Sequence, residues 1–215
     1  MRRILAVLAA SLTGTPCLAA GVGFIFDFQP GSILISPDAD RFNVSQFTVS
    51  GYDWESGVVR GYYESEEVGP VSSLPTLRAG LGIDAGVAYV DLTGGVGYLL
   101  NAALRAPVFR ADAALRLKLG RIVTLGPHCG LIHVEAPEWL GQADLEFSDS
   151  DGVMGGIDFS VGRTISFLLS IDYVRAKFDV KVKNEWMIED NGEERTSGTL
   201  DMSGVAIQTG IMGRF

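Results

Sequence analysis

Between residues 76 and 91 the chain alternates strictly. Leu77, Ala79, Leu81, Ile83, Ala85, Val87 and Tyr89 take every second position, and Thr76, Arg78, Gly80, Gly82, Asp84, Gly86 and Ala88 fall between them. Successive side chains of a strand point to opposite faces, so one face here is apolar and the other small or charged. The same period returns at residues 108–119, where Phe109, Ala111, Ala113, Leu115, Leu117 and Leu119 oppose Arg110, Asp112, Arg116 and Lys118. Residues 153–161, 165–173 and 205–215 repeat it, as does Val22, Phe24, Phe26 and Phe28 against Gly23, Ile25 and Asp27. Val123, Leu125, Cys129 and Leu131 oppose Thr124, His128 and Gly130 before the pattern blurs at Ile132-His133-Val134. The chain is all-β.

The spacing predicts eight strands, near 22–29, 57–67, 76–91, 107–119, 122–136, 152–162, 165–181 and 199–215. Gly120-Arg121 and Arg163-Thr164 leave room only for tight hairpin turns, and a short connection near 68–75 belongs to the same side. Longer polar gaps near 92–106, 137–151 and 182–198 would fall at the opposite end. Residues 30–56 form a long first loop, opened by the turn-like Gln29-Pro30-Gly31-Ser32. The alternative is ten strands, with Phe42 to Tyr52 spanning and residues 22–28 and 32–36 forming an extra hairpin.

Met1-Arg2-Arg3, then Ile4-Leu5-Ala6-Val7-Leu8-Ala9-Ala10, then Ala19-Ala20 follows the order of a secretory signal peptide. Residues 1–20 are read as that signal and 21–215 as one barrel domain. Cys17 follows Thr15-Pro16, which does not suit lipidation, and its removal leaves Cys129 without a disulfide partner.

Composition narrows the class. The 215 residues are 47% apolar and 20% charged with a net charge of -9, which excludes a disordered polyelectrolyte and argues against a nucleic-acid binder. No run reaches the roughly 18 apolar residues of a membrane-spanning helix. High apolarity with period two fits either a soluble barrel or a transmembrane one. Glycines at 80, 82, 86, 130, 156 and 210 lie on the small-or-charged face, where a soluble exterior gains nothing from them but a narrow lumen gains room. The apolar face carries no charge in mid-strand, as lipid demands. The reading is a transmembrane antiparallel up-and-down β-barrel.

With its signal peptide, alternating short turns and long loops, and closing strand from Val205 to Phe215, the chain resembles the small outer-membrane β-barrels of Gram-negative bacteria, the OmpA/OmpX/OmpW-like group. The resemblance implies an integral outer-membrane location after export. Outer-membrane lipids and lipopolysaccharide are the implied partners, together with the barrel-assembly machinery. It also implies that Ile207, Ile211 and Phe215 act as the assembly signal.

With the apolar face outward, the lumen would hold Arg78, Arg110, Arg116, Lys118 and Arg214 against Asp84, Asp112, Asp158 and Asp172. Eight strands leave an interior that side chains nearly fill, so these charges are expected to pair as a plug. The competing reading of the same residues is a narrow polar pathway for small solutes. Either way the expected role is non-enzymatic, serving membrane integrity and surface interaction. A barrel enzyme would need a nucleophile site, and only His133 with Glu135 and Ser148 or Ser150 offers one, without supporting spacing. No cofactor or metal set is legible: Asp149-Ser150-Asp151-Gly152 only echoes a calcium loop.

Acid concentrates in two loops. Glu138, Asp144, Glu146, Asp149 and Asp151 form one group, and Glu185, Glu189, Asp190, Glu193 and Glu194 the other, where they outnumber Lys183 and Arg195. These read as hydrated surface, with a divalent-cation bridge to lipopolysaccharide phosphates as the sharper option. Trp139, Trp186, Tyr89, Tyr173, Tyr62 and Tyr63 fit an interfacial aromatic girdle.

Overall fold

The computed structural model describes residues 21–182 and 197–215, with the backbone alone at 45–49 and 59–64. Fifteen strands follow in chain order among the described residues. Strand β1 (Gly21–Ile35) leads to an outer hairpin, β2 (Asn43–Asp53) and β3 (Val58–Glu67), and to the short β4 (Val71–Ser73). Next come β5 (Thr76–Asp84), β6 (Ala88–Leu100), β7 (Leu104–Leu119) and β8 (Val123–Val134). Two short pieces, β9 (Glu138–Trp139) and β10 (Leu145–Phe147), precede β11 (Ser150–Gly162) and β12 (Ile165–Arg175). The chain finishes with β13 (Lys177–Val182), β14 (Ser197–Asp201) and β15 (Gly204–Arg214).

Eight of these close a barrel in the order β1-β5-β6-β7-β8-β11-β12-β15, every pair antiparallel, with β15 returning to β1. The seam runs from Ile25 opposite Arg214 to Ile35 opposite Val205. Lateral closure pairs the ladder on both sides of each strand and leaves no sheet edge, which is the condition for strands to cross lipid. The exterior meets the other condition. Phe24, Phe26, Phe28, Leu81, Leu92, Leu131, Ile157, Ile171 and Ile211 all project outward and are exposed. The inward positions of the same strands carry Asp27, Arg78, Asp91, Asp112, Arg116, Asp158 and Asp172, all buried. This is a transmembrane barrel, apolar outside and charged inside.

The count of eight agrees with the sequence, but the membership does not. Residues 57–67 do not span: β3 pairs with β2 in a separate hairpin beyond the barrel, and β1 instead runs the full 15 residues from Gly21 to Ile35. The ten-strand alternative fails for the same reason. Gln29-Pro30-Gly31-Ser32 is a bulge within β1 and not a turn. The register against β15 shifts between Phe28 and Gly31, so Pro30, which has no N–H, falls where the ladder is irregular.

Residues 76–91 are two strands. Gly86 turns the chain at φ 81°, a left-handed conformation that suits glycine, and its N–H donates to Asp84 Oδ1 at 2.8 Å. The turn reverses the parity without a polar run to announce it. From Val90 onward the even positions face lipid. The supposed loop at 92–106 is mostly strand, and the connection between β6 and β7 is only residues 101–103. Glycine disguised β6, and the structure gives the reason at Gly95, where an added Cβ would lie 2.6 Å from Arg78 Cγ. The glycine makes room for the stem of the Arg78 side chain.

Tight turns at residues 85–87, 120–122 and 163–164 mark one end, here the inner end. The connections 36–75, 101–103, 135–149 and 176–203 mark the outer end, so the segment at 68–75 lies opposite to the side expected. The strands at 165–181 and 199–215 each break in two. Their outer portions, β13 and β14, join β10 in a three-stranded sheet outside the barrel.

Candidate functional site

Inward parity brings side chains from all eight barrel strands to the axis, and they sort into layers. At the inner mouth Lys118 Nζ binds Asp84 Oδ1 at 2.5 Å, and Arg214 binds Asp91 at 2.8 Å through its NH1. Tyr89 lies between these cations, with Lys118 Nζ 4.1 Å and Arg214 Cζ 4.0 Å from its ring centroid, a cation–π arrangement. The parity flip at Gly86 therefore takes Tyr89 out of the expected lipid-facing girdle and into the lumen.

One level further in, Arg116 bridges two carboxylates. Its Nε donates to Asp158 Oδ2 at 2.9 Å while NH1 binds Asp91. Asp158 Oδ1 accepts from Ser170 Oγ at 2.6 Å. His128 lies between Asp158 and Asp172, with ring nitrogens 3.0 and 2.9 Å from their nearest oxygens. A second cluster sits above. Arg78 donates to Asp27 Oδ1 at 2.9 Å and to Asp112 Oδ2 at 3.3 Å. Arg110 grips the same Asp112 with two bonds of 2.9 and 3.0 Å and reaches Gln208 Oε1 at 2.9 Å. A bidentate guanidinium–carboxylate pair of this kind is among the stronger polar contacts available to a protein.

Above the charges the interior turns apolar. Leu34, Leu74, Leu99, Val108, Ile132 and Val174 line the outer part of the barrel. Phe147, Phe178, Val180, Leu200 and Met202 descend onto them from the outer strands and connections. Phe178, Leu200 and Met202 are fully buried, and each such side chain contributes about 1.5–3 kcal/mol to holding the cap in place. Trp139 belongs to this cap and not to the girdle. It stacks on Phe147 at 5.9 Å, packs edge-on against Phe42, and donates its indole N–H to Glu66 at 3.0 Å. Glu66 also accepts from the backbone of Gln142 and Ala143, tying the β2–β3 hairpin to the next connection.

The interior thus holds paired charge towards the inner end and packed hydrocarbon towards the outer one. The architecture is that of a small eight-stranded transmembrane β-barrel. No protein-family model matches the sequence, and no curated protein matches it either. Among solved structures the chain is similar to the crystal structure of the outer membrane protein OprG from Pseudomonas aeruginosa, at 12% identity and TM-score 0.41, covering 91% of this chain and 97% of that one. It is also similar to the solid-state NMR structure of the outer membrane protein AlkL in DMPC lipid bilayers, at 12% identity and TM-score 0.44, covering 94% and 95%.

Of the nine lumen residues named from the sequence, Arg78, Arg110, Asp112, Arg116, Asp158 and Asp172 are buried on the inward face, and Asp84, Lys118 and Arg214 stand at the inner mouth. Asp84 meets Lys118, Asp112 meets Arg78 and Arg110, Asp158 meets Arg116, and Asp172 faces His128, while Arg214 turns to Asp91. Asp27 and Asp91 were missed. Asp27 stood on the inward parity of the Phe24-Phe26-Phe28 run, and Asp91 was hidden by the Gly86 turn. Ile207, Ile211 and Phe215 face outward on β15 or just beyond it, Phe215 pairing through its backbone with Phe24.

At the outer rim His133 Nδ1 lies 2.8 Å from Asp151 Oδ1. The hydroxyls of Ser148 and Ser150 accept from the backbone N–H groups of Asp179 and Lys177, so neither serine faces His133 as a nucleophile would. Ser150, Asp151 and Gly152 begin β11, and an extended strand does not wrap an ion as a calcium loop does. Among the described residues no three His, Cys, Asp or Glu side chains converge as a metal site. Glu138 pairs with Arg105 through two bonds of 2.8 Å, and that guanidinium holds its carboxyl below the usual range. Tyr173 projects outward from β12. Residues 1–20, read from the sequence as a signal peptide and including Cys17, lie outside the described residues, as do the acids at 185–194 with Lys183, Arg195 and Trp186, and the side chains of Tyr62 and Tyr63.

Proposed function

We propose that this chain is an exported, integral outer-membrane barrel that acts without catalysis, sealing and stiffening the membrane and presenting an acidic outer surface. The observation that carries this reading is an interior that holds paired charge and, beyond it, packed hydrocarbon. A conducting pore needs a continuous wet path, whereas here the Arg116–Asp158 and Arg78–Asp112 clusters are followed by a core of hydrocarbon. Outer-membrane lipids and lipopolysaccharide are the partners of the exterior and of the acidic loops, through divalent cations in the latter case.

Planar-bilayer recording tests the seal. The purified protein should give no steady conductance above the bare membrane, and a stable, charge-selective current would overturn the reading in favour of a narrow channel. The assembly machinery is the proposed partner of β15, through Ile207, Ile211 and Phe215. Removing Phe215 should lower the amount inserted in cells several-fold while leaving folding into thin-bilayer vesicles nearly unchanged. Equal cellular levels would show that the signal lies elsewhere.

A further inference from the structure

The inner mouth of the barrel opens into a cavity of about 500 Å³ whose walls carry Lys118, Arg121, Arg163 and Arg214 and a single carboxylate side chain, Asp84. We infer that this vestibule is a binding site for an anionic group, a phosphate or phosphate-bearing headgroup, presented from the inner side of the membrane.

Charge distribution is the first support. The chain is acidic overall, and the outer connections carry Asp38, Asp53, Glu66, Glu138 and Asp149, so the cationic mouth contrasts in sign with the outer end. Lys118 and Arg214 are each neutralised by a carboxylate, Asp84 and Asp91. Arg121 and Arg163 have no ion-pair partner among the described residues, and both are exposed on tight turns that lean over the opening. They supply two uncompensated guanidiniums, the group whose planar fork matches phosphate oxygens.

The built floor is the second support. Lys118 and Arg214 are held against Tyr89 and their own carboxylates, so they reach the cavity already ordered. Deeper in, Thr124 Oγ1 and Ser160 Oγ stand 2.6 Å apart, both buried and both lining the cavity. Two hydroxyls bonded to each other use one proton between them, which leaves one to donate towards an acceptor in the cavity. Two residues further along β11 from Ser160 stands Asp158 with its partner Arg116, so paired charge lies beyond the deep end of the space. Its volume lies within the range of small-molecule sites and exceeds that of a bare phosphate several-fold, leaving room for a glycerol or sugar attached to it.

The experiment compares the wild type with Arg121→Gln/Arg163→Gln, whose exposed turn positions leave the barrel intact, and with Arg41→Gln at the outer end as a charge control. Inorganic phosphate is titrated in zwitterionic detergent by calorimetry. The association of phosphatidylglycerol is measured separately in phosphatidylcholine vesicles doped with it. Saturable phosphate binding that weakens about tenfold in the double variant, roughly 1.4 kcal/mol, and not in Arg41→Gln supports a free anionic solute. Enrichment of phosphatidylglycerol around the protein without phosphate binding, again lost only in the double variant, supports a lipid headgroup. Absence of both, or equal binding by all three proteins, overturns the site.

Discussion

At the scale of single residues, the lumen shows how one side chain answers for several. Asp158 accepts from Arg116 and Ser170 and faces His128, so Asp158→Asn removes one charge and leaves these three neighbours one acceptor oxygen in place of two. Breaking a buried pair from one side costs about 3–5 kcal/mol, reduced where water enters. The urea midpoint of the variant in detergent micelles should fall accordingly, whereas Asp149→Asn at the exposed rim should leave it within about 0.5 kcal/mol. Equal midpoints would mean the lumen cluster is hydrated and not dry. Outward residues obey a different rule, set by depth. Ile171 lies mid-strand in β12 and Ile211 nearer the inner rim of β15. Ile171→Lys should cost about 2–4 kcal/mol on folding into vesicles and Ile211→Lys clearly less, falling towards about 0–1 kcal/mol at the interface. The reverse order would displace the bilayer midplane assumed here.

At the scale of elements, strand type was legible from period two while strand identity was not. Alternation marks a strand wherever one face meets lipid, which is why β7, β11, β12 and β15 stood out in the sequence. Two local events defeated it. The Asp84-Ala85-Gly86-Val87 turn reverses parity using residues that continue the pattern, and the bulge at Pro30 imitates a turn inside a strand. The β2–β3 hairpin adds a third, since a two-stranded outer ribbon alternates like a spanning pair. The outer sheet has its own chemistry. Lys177 Nζ binds Asp201 Oδ2 at 2.5 Å, joining β13 to β14 beyond the membrane. Partial burial would raise the Asp201 pKa, but bonds from Lys177 and Ser203 outweigh it and hold the carboxyl below its ordinary value. A depressed folded pKa stabilises above the unfolded value of about 3.9 and loses that contribution as pH falls through the folded value. Hydrogen-exchange protection of β13 and β14 amides, corrected for intrinsic rates, should drop below about pH 4, by no more than about 1 kcal/mol for so exposed a pair. Asp201→Asn should remove that pH dependence, and persistence of it in the variant would assign the effect to another group.

At the scale of the whole molecule, the interior is legible only by halves. Inward charges could be read by parity once the apolar face was assigned to lipid, and nine were. The apolar cap could not, because its members come from loops and from outer strand segments where the inward face is itself apolar, as at Leu99-Leu100 and Ile132-His133-Val134. Nor does sequence spacing reveal that Glu66 reaches Trp139, 73 positions away. Side-chain partners across a barrel depend on stagger, which a single strand does not encode.

The distribution of the charge clusters over all eight strands bears on how the last seam closes. Asp91 on β6 binds Arg116 on β7 before β15 is needed, and Arg214 on β15 completes it; Arg110 on β7 waits in the same way for Gln208. Side chains on a strand recur to the same face every two residues, so a slip of two along the β1–β15 edge would keep every apolar residue towards lipid. Lipid alone therefore does not discriminate the correct alignment from its neighbours. The slip would, however, carry Arg214 and Gln208 about 7 Å along the barrel wall and strand Asp91 and Arg110 with part of their bonding unmet. The polar core thereby works as a proofreading device, a lock whose two tumblers, on the neighbouring strands β6 and β7, favour the alignment that β15 completes.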